Sequence, residues 1–321
     1  MAVNIAEYLG QRVDVDFPPI VPSKKGDLCP FMNKACDKLN RTKPNPPICS
    51  VRKKNGSLWI VCPHRLCSTS NKIKVGRFYK RISLVDHQKN ILWAVAKTIY
   101  RGNFNKKEIV VAREVSIPLE GDAGTYHADY VMRNLAQGAK VDEVLLEMQG
   151  GGETSQTGAI TRKVEEWVKS TNRSNLFLRE TVNAGTIETN AWRRQQEQFL
   201  VKGNVVSQTG GKLVFAVGTL LYDYLKKRFE RANLRDLRNH NWTLCLIAFK
   251  EDTNAKKVSG SIPLIVDDER LLFTNYSTFV RFLTDQGGPN PQIFEGLFVS
   301  LDGNYFQIEG TNVTNVVDPL E

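Results

Sequence analysis

Three strand-like runs lie in close succession, at residues 108–117, 125–133 and 143–149, between two stretches of helical periodicity. In the first stretch Ile91, Leu92, Val95, Ala96 and Ile99 recur on one helix face, with Ser83 or Asp86 expected as the cap. In the second, Ile160, Val164, Trp167 and Val168 share a face. A polar helix is expected at 188–202 and a buried strand at 212–218, followed by a basic helix at 220–232. Helix, three strands, helix, strand confines this part of the chain to the α/β class, a mixed central sheet flanked by helices. Further strands are expected at 242–249, 296–301 and 305–308, the last after an Asp302-Gly303-Asn304 turn, with a helix at 277–284. No internal repeat or low-complexity tract interrupts the pattern.

The middle strands carry acids in a suggestive arrangement. Val144-Leu145-Leu146-Glu147-Met148-Gln149 places Glu147 and Gln149 on one face, because strand side chains alternate. Asp129 stands in the preceding run and Glu114 in the one before it. Acid on one strand and acid-x-polar on the next is the pattern of a metal-dependent nuclease. Hydrolysis of a phosphodiester needs an activated water and a counter-charge for the phosphoryl oxygens, and Mg²⁺ held by a few carboxylates supplies both. Asp129 and Glu147 are suitable ligands, the Met148 carbonyl a further one, and Glu114 could organise a second ion. Gln149 stands where many such nucleases have lysine. A neutral amide orients water or phosphate but is no strong base, so catalysis is expected to lean on metal.

Composition narrows the partner. The 321 residues include 44 Lys and Arg against 34 Asp and Glu, a net charge of +10. That balance suits nucleic acid first and an anionic membrane surface second. The N-terminus lacks the apolar core of a signal peptide and no window has the length of a membrane span, so a cytoplasmic, non-secreted prokaryotic protein is expected. Five of the six cysteines fall between Cys29 and Cys67. Without a secretion signal this clustering favours metal over disulfides. Cys29, Cys36, Cys49 and Cys62 read C-x6-C-x12-C-x12-C, a Cys₄ set for Zn²⁺ or iron, with His64 and Cys67 as substitute ligands. Residues 20–75 hold few large apolar side chains, which fits a small module pinned by metal. Asn55-Gly56 marks a hairpin turn within it. The domains expected are 1–80, an N-terminal segment with this module, and 81–321, a catalytic and DNA-recognition domain.

Leu28-Cys29-Pro30-Phe31, Cys36, Ile48-Cys49-Ser50-Val51 and Trp59-Ile60-Val61-Cys62-Pro63-His64-Arg65 resemble the metal-binding region of the NotI-type restriction endonucleases. Glu114, Asp129 before Tyr130, and Leu145-Leu146-Glu147-Met148-Gln149 are similar to that family's catalytic residues, glutamine included. The resemblance covers roughly residues 20–235 and is loose beyond Gln149, and Cys67 has no counterpart in it. It implies a PD-(D/E)xK restriction-endonuclease-like core with a small N-terminal Cys₄ module. It also implies a type II enzyme that cuts double-stranded DNA at a short palindrome as a homodimer. Iron in the Cys₄ site and a cognate DNA methyltransferase in the host are further implications.

For DNA contact, Arg162 and Lys163 begin one helix, and Arg193, Arg194 and Gln198 lie on another. Arginine and glutamine are the side chains that read guanine and adenine edges bidentately. Lys72, Lys74, Arg77, Lys80 and Arg81 are candidates for phosphates. Lys226-Lys227-Arg228 reads as surface charge, and Trp167 and Trp192 as core anchors. Two other readings stay open: a repair or mobile-element nuclease on the same core, and a non-enzymatic, metal-stapled DNA-binding protein.

Overall fold

The structure, a computed structural model, describes residues 2–15, 26–39, 42, 45–118, 125–136, 143–152, 154–170, 175–230, 234–284 and 295–317. Contacts divide the chain into two units, Met1–Val280 and Arg281–Glu321. In the first unit β1 (Val3–Tyr8), β2 (Gln11–Arg12), two short strands β3 (Leu28–Cys29) and β4 (Lys34–Ala35), β5 (Ile48–Lys53) and β6 (Leu58–Ile60) come first. Of these, β2-β1-β5-β6 form one antiparallel sheet. A single-turn helix α1 (His64–Cys67), a ribbon of β7 (Lys72–Val75) and β8 (Phe78–Arg81), and α2 (Asp86–Ile99) follow. Residues 1–80 thus share a compact unit with the elements that come next.

The main sheet comprises β9 (Ile109–Pro118), β10 (Thr125–Asn134), β11 (Val144–Gln149), β12 (Lys212–Gly218), β13 (Leu244–Glu251) and β14 (Leu264–Thr274). Between β11 and β12 run α3 (Thr157–Lys169), α4 (Asn175–Arg179) and α5 (Glu188–Thr209), and α6 (Thr219–Phe229) precedes β13. The order β14-β13-β12-β11-β10-β9 is parallel through β11, β12 and β13 and antiparallel elsewhere. The chain is therefore mixed α/β with a six-stranded mixed sheet. Helix α7 (Tyr276–Thr284) comes after it, and the second unit holds an antiparallel meander of β15 (Gly296–Val299), β16 (Tyr305–Glu309) and β17 (Asn312–Val316). Among the described residues no helix is long and apolar enough to cross a membrane.

Alternation along the central strands sorts side chains between two helical layers. Leu146 and Met148 of β11, with Val214, Ala216, Cys245 and Ile247, join Ile91, Leu92, Val95 and Ala96 of α2 in one core. On the other face Phe215 of β12 meets Trp192 and Phe199 of α5, with ring centroids 6.4 and 5.5 Å apart. Each such buried side chain contributes roughly 1.5–3 kcal/mol. Glu147, between Leu146 and Met148, is the exception on β11, an acid sent into a covered face. That exception locates the site.

Several boundaries differ from expectation for physical reasons. Neither Ser83 nor Asp86 caps α2; Val85 takes the cap position and its N–H donates to Gln88 Oε1 at 2.8 Å, while Asp86 pairs with Lys89. Helix α5 runs past residue 202 to Thr209, ending at Gly210 with φ 73°, a left-handed stop that suits glycine. Strand β14 was hidden by its acids. Asp267 is buried yet paired with Lys250 at 3.0 Å and Arg270 at 2.7 Å, so the strand tolerates it.

The N-terminal sheet is tied to the rest of the first unit by a buried ion pair. Arg65 Nε donates to Glu7 Oε2 at 2.6 Å, and both side chains are fully enclosed. Glu7 also accepts from Ser50 Oγ at 2.6 Å and from the Ile262 N–H at 2.8 Å, while Arg65 donates to the Ile262 carbonyl and lies over the Phe31 ring. Behind β11, Gly151 lets the chain pass over β6: a Cβ there would sit 2.6 Å from the Ile60 carbonyl oxygen.

Candidate active site

Strand register brings the three acids into one row. Pairs Ala128↔Val115 and Tyr130↔Arg113 flank Asp129 and set it opposite Glu114. Tyr130↔Leu146 and the pairs after it set Asp129 opposite Glu147 on its other side. Directly opposed residues of regular antiparallel strands share a face, which sets Asp129 beside Glu147, and the Glu114 charge reaches Asp129. Glu114 departs from the ladder with φ 51°, a conformation that costs a non-glycine residue about 1–3 kcal/mol and that tends to persist at functional positions. Its Oε1 accepts from Thr69 Oγ1 at 3.3 Å.

Asp129 and Glu147 interlock through the main chain. The Met148 N–H donates to Asp129 Oδ2 at 2.7 Å, and the Asp129 N–H donates to Glu147 Oε1 at 3.3 Å. Burial raises the pKa of both acids. For Asp129 the Met148 N–H and Lys202 act against it and the Glu114 charge acts with it. Glu147 is pushed up to about 8 by burial first and then by Asp129, with Lys202 opposing. A carboxyl raised this way favours folding at pH below its ordinary value of 4.5, and that contribution is lost as pH rises through about 8. Two ionised carboxylates in this place need positive charge beside them.

Part of that charge is a lysine. Lys202 of α5 is 1% exposed, and its Nζ donates to Glu147 Oε2 at 2.7 Å and to Gln198 Oε1 at 3.0 Å. Gln149 in the usual lysine position predicts a site with no lysine; the structure delivers the ammonium from a helix instead. Gln149 is itself fixed at both ends. Its Oε1 accepts from Gln195 Nε2 at 2.8 Å, and its amide donates to the Gly151 carbonyl. The signal for Lys202 was present: Trp192, Gln195, Phe199, Lys202 and Val206 follow core-facing spacing, and a lysine on such a stripe needs a partner.

A cavity of about 670 Å³ opens beside this row, lined by Gln149, Gln195, Arg194, Gly151, Cys62 and Lys38 among others. It joins the site to the cysteine-bearing segment. No family model and no curated protein matches the chain. What the site can do rests on its own residues.

Among the described residues no group of three or more His, Cys, Asp or Glu side chains is drawn together tightly enough to hold a metal ion. The donor chemistry nevertheless suits particular metals. Asp129, Glu147 and the Met148 carbonyl offer hard oxygens of the kind Mg²⁺ takes. Cys29, Cys36, Cys49 and Cys62 are all buried, and burial pushes the thiols of Cys29, Cys49 and Cys62 up, with a neighbouring cysteine of the set adding to the rise in each. The Gly10 N–H donates to the Cys49 sulfur at 3.2 Å, and the backbone at Phe31 and Met32 acts against the rise of Cys29, as that at His64 does for Cys62. These N–H donors oppose the effect of burial without overcoming it, so the thiolates that ligate metal would need a bound cation's own charge to form. Cys67 lies apart from this use: its sulfur is 3.3 Å from Tyr130 Oη in the core. His64 bonds Asp37 at 3.0 Å.

The expected DNA-contact residues separate. Arg162, Arg193 and Arg194 are exposed. Lys163 is paired with Glu180 and lies 3.4 Å from the Phe177 ring centroid. Gln198 belongs to the acid site through Lys202. Trp167 and Trp192 are buried core residues, and Lys226-Lys227-Arg228 are exposed.

Proposed function

We propose that this chain is a type II site-specific deoxyribonuclease with a PD-(D/E)xK core, hydrolysing phosphodiester bonds of double-stranded DNA with Mg²⁺. The observation that carries the proposal is the row Glu114–Asp129–Glu147 across three adjacent strands, with Lys202 on Glu147. Acids gathered beside one another in a basic protein destabilise it unless they hold a cation, and carboxylates with strongly raised pKa mark functional sites. Bound Mg²⁺ activates a water and stabilises charge on the phosphoryl oxygens. Asp129, Glu147 and the Met148 carbonyl would hold that ion, and Glu114 would organise a second. Lys202, anchored on Glu147 and Gln198, positions the attacking water or the scissile phosphate. Gln149, clamped by Gln195 and Gly151, orients the same groups without accepting a proton.

The resemblance of the cysteine block and of Glu147-Met148-Gln149 to NotI-type restriction endonucleases supports the same reading and extends it. It adds a homodimer on a short palindrome, a host methyltransferase, and iron or zinc on Cys29, Cys36, Cys49 and Cys62. The test is to digest a sequenced genome with Mg²⁺ and map the cut ends. Ends falling at one recurrent palindrome are expected. Dispersed nicks would replace the reading with a repair-type nuclease, and a gel shift without cleavage would leave only a binding protein.

Lys202→Met removes the cation that lowers the proton affinity of Glu147, so cleavage is expected to fall by about 100-fold. The rising limb of its pH profile is expected to move to higher pH, because protons then compete better for the carboxylates. Lys202→Arg should recover the profile in part, and an unshifted profile in Lys202→Met would remove the lysine from the mechanism. For the Cys₄ set, Cys49→Ser is expected to lose bound metal and to lower thermal stability. Elemental analysis of pure wild-type protein that returns neither iron nor zinc would refute the module.

A further inference from the structure

The β7–β8 ribbon combines features that a solvated hairpin does not need. Residues 72–81 hold five cations, Lys72, Lys74, Arg77, Lys80 and Arg81, and no acid. The ribbon is a sheet of two strands only, and every residue from Lys74 to Arg81 is exposed. Phe78 and Tyr79 are 80% and 65% exposed, so the aromatics do not serve a core. Register sets Lys72 directly opposite Arg81 and Lys74 opposite Tyr79, which places Lys72, Lys74 and Arg81 on one face. Like charges directly opposed across strands are destabilising, and an isolated two-stranded ribbon is marginal to begin with. A polyanion along that face reverses the sign of the effect.

The root of the ribbon is fastened to the acid row. Arg113 donates to the Ser70 carbonyl at 2.7 Å on one side of the hairpin and to the Ile82 carbonyl on the other. Asn71 Nδ2 donates to the Arg113 carbonyl at 3.3 Å, and Thr69 bonds the Glu114 carboxylate. One arginine therefore spans both strands at the base, one residue from Glu114. We propose that the β7–β8 ribbon is a DNA-binding arm that lies in a groove of the duplex, with Lys72, Lys74 and Arg81 on the phosphates, and that Arg113 fixes its direction relative to the acid row. A two-stranded ribbon fits the major groove, and at about 3.3 Å per residue the five-residue arm reaches roughly 17 Å from its root. Direct opposition of cations favours a polyanion over a second copy of this basic chain.

This inference takes its partner from the nuclease reading, so the test is run in EDTA, where binding is read without cleavage. Fluorescence anisotropy on a labelled duplex, over a series of KCl concentrations, compares the wild type with Lys72→Ala/Lys74→Ala/Arg81→Ala. The triple variant is expected to bind at least about tenfold more weakly at low salt, with a salt slope shallower by about 2.7, three phosphate contacts' worth. Its melting temperature is expected to hold or rise. The charge-matched control Lys226→Ala/Lys227→Ala/Arg228→Ala should leave the slope nearly unchanged. Equal slopes in wild type and ribbon variant would overturn the proposal. So would wild-type binding to phosphatidylserine vesicles that the ribbon variant loses while its duplex binding is intact. Duplex binding with the expected slopes, in a protein that never cuts with Mg²⁺, would uphold the arm and fail the nuclease reading.

Discussion

Asp129→Asn is expected to abolish DNA cleavage, lowering the rate by about 1,000-fold or more, an increment of roughly 4 kcal/mol in the barrier. The substitution is nearly isosteric. The asparagine Oδ1 can still accept the Met148 N–H that Asp129 Oδ2 accepts at 2.7 Å, so the local backbone has no reason to move. What disappears is one of the two charged side chains proposed to hold Mg²⁺. The stability consequence has the opposite sign. Asp129 is among the causes that raise Glu147, and removing its charge relieves a repulsion in a covered site. The melting temperature of Asp129→Asn is therefore expected to equal or exceed that of the wild type while activity is lost, the behaviour of a functional residue placed at a cost to stability. A variant that melts early and cuts normally would show that Asp129 serves the fold alone.

The largest effect on stability is expected at the other end of the first unit. Glu7→Ala leaves Arg65 buried without its carboxylate, and leaves Ser50 Oγ and the Ile262 N–H without an acceptor. Breaking such a pair costs about 3–5 kcal/mol, most of it from the charge left behind. The double variant Glu7→Leu/Arg65→Met removes both charges and should recover much of that loss. Urea unfolding midpoints for the wild type, the single variant and the double variant check this. A loss below about 1 kcal/mol in Glu7→Ala would mean that water reaches Arg65 and that the tie is not closed.

Much of this was legible in the sequence because the central strands obey simple patterning. The runs at 109–118, 125–134 and 144–149 announce themselves by composition, and α2 and α3 by their apolar stripes. The acid row was legible only in part. Glu114, Asp129 and Glu147 could be named, but their alignment depends on the register of two hairpins whose connections, residues 119–124 and 137–142, carry no pattern that sets it. Lys202 is not legible from the strand motif, which places its lysine at position 149, where this chain has glutamine. Helical geometry, which returns to the same face after seven residues, brings a lysine to Glu147 from far along the chain. Strands β1 and β14 escaped because Glu7 and Asp267 look like loop residues until their partners, Arg65, Lys250 and Arg270, are in view.

The acid row is proposed to hydrolyse DNA with a divalent cation. Supercoiled plasmid incubated with purified wild-type protein, in Mg²⁺ and in EDTA, tests it most directly. The account predicts conversion to discrete linear fragments with Mg²⁺ and intact plasmid in EDTA. Plasmid left uncut at any Mg²⁺ concentration by folded protein, or cut equally well in EDTA, would contradict it.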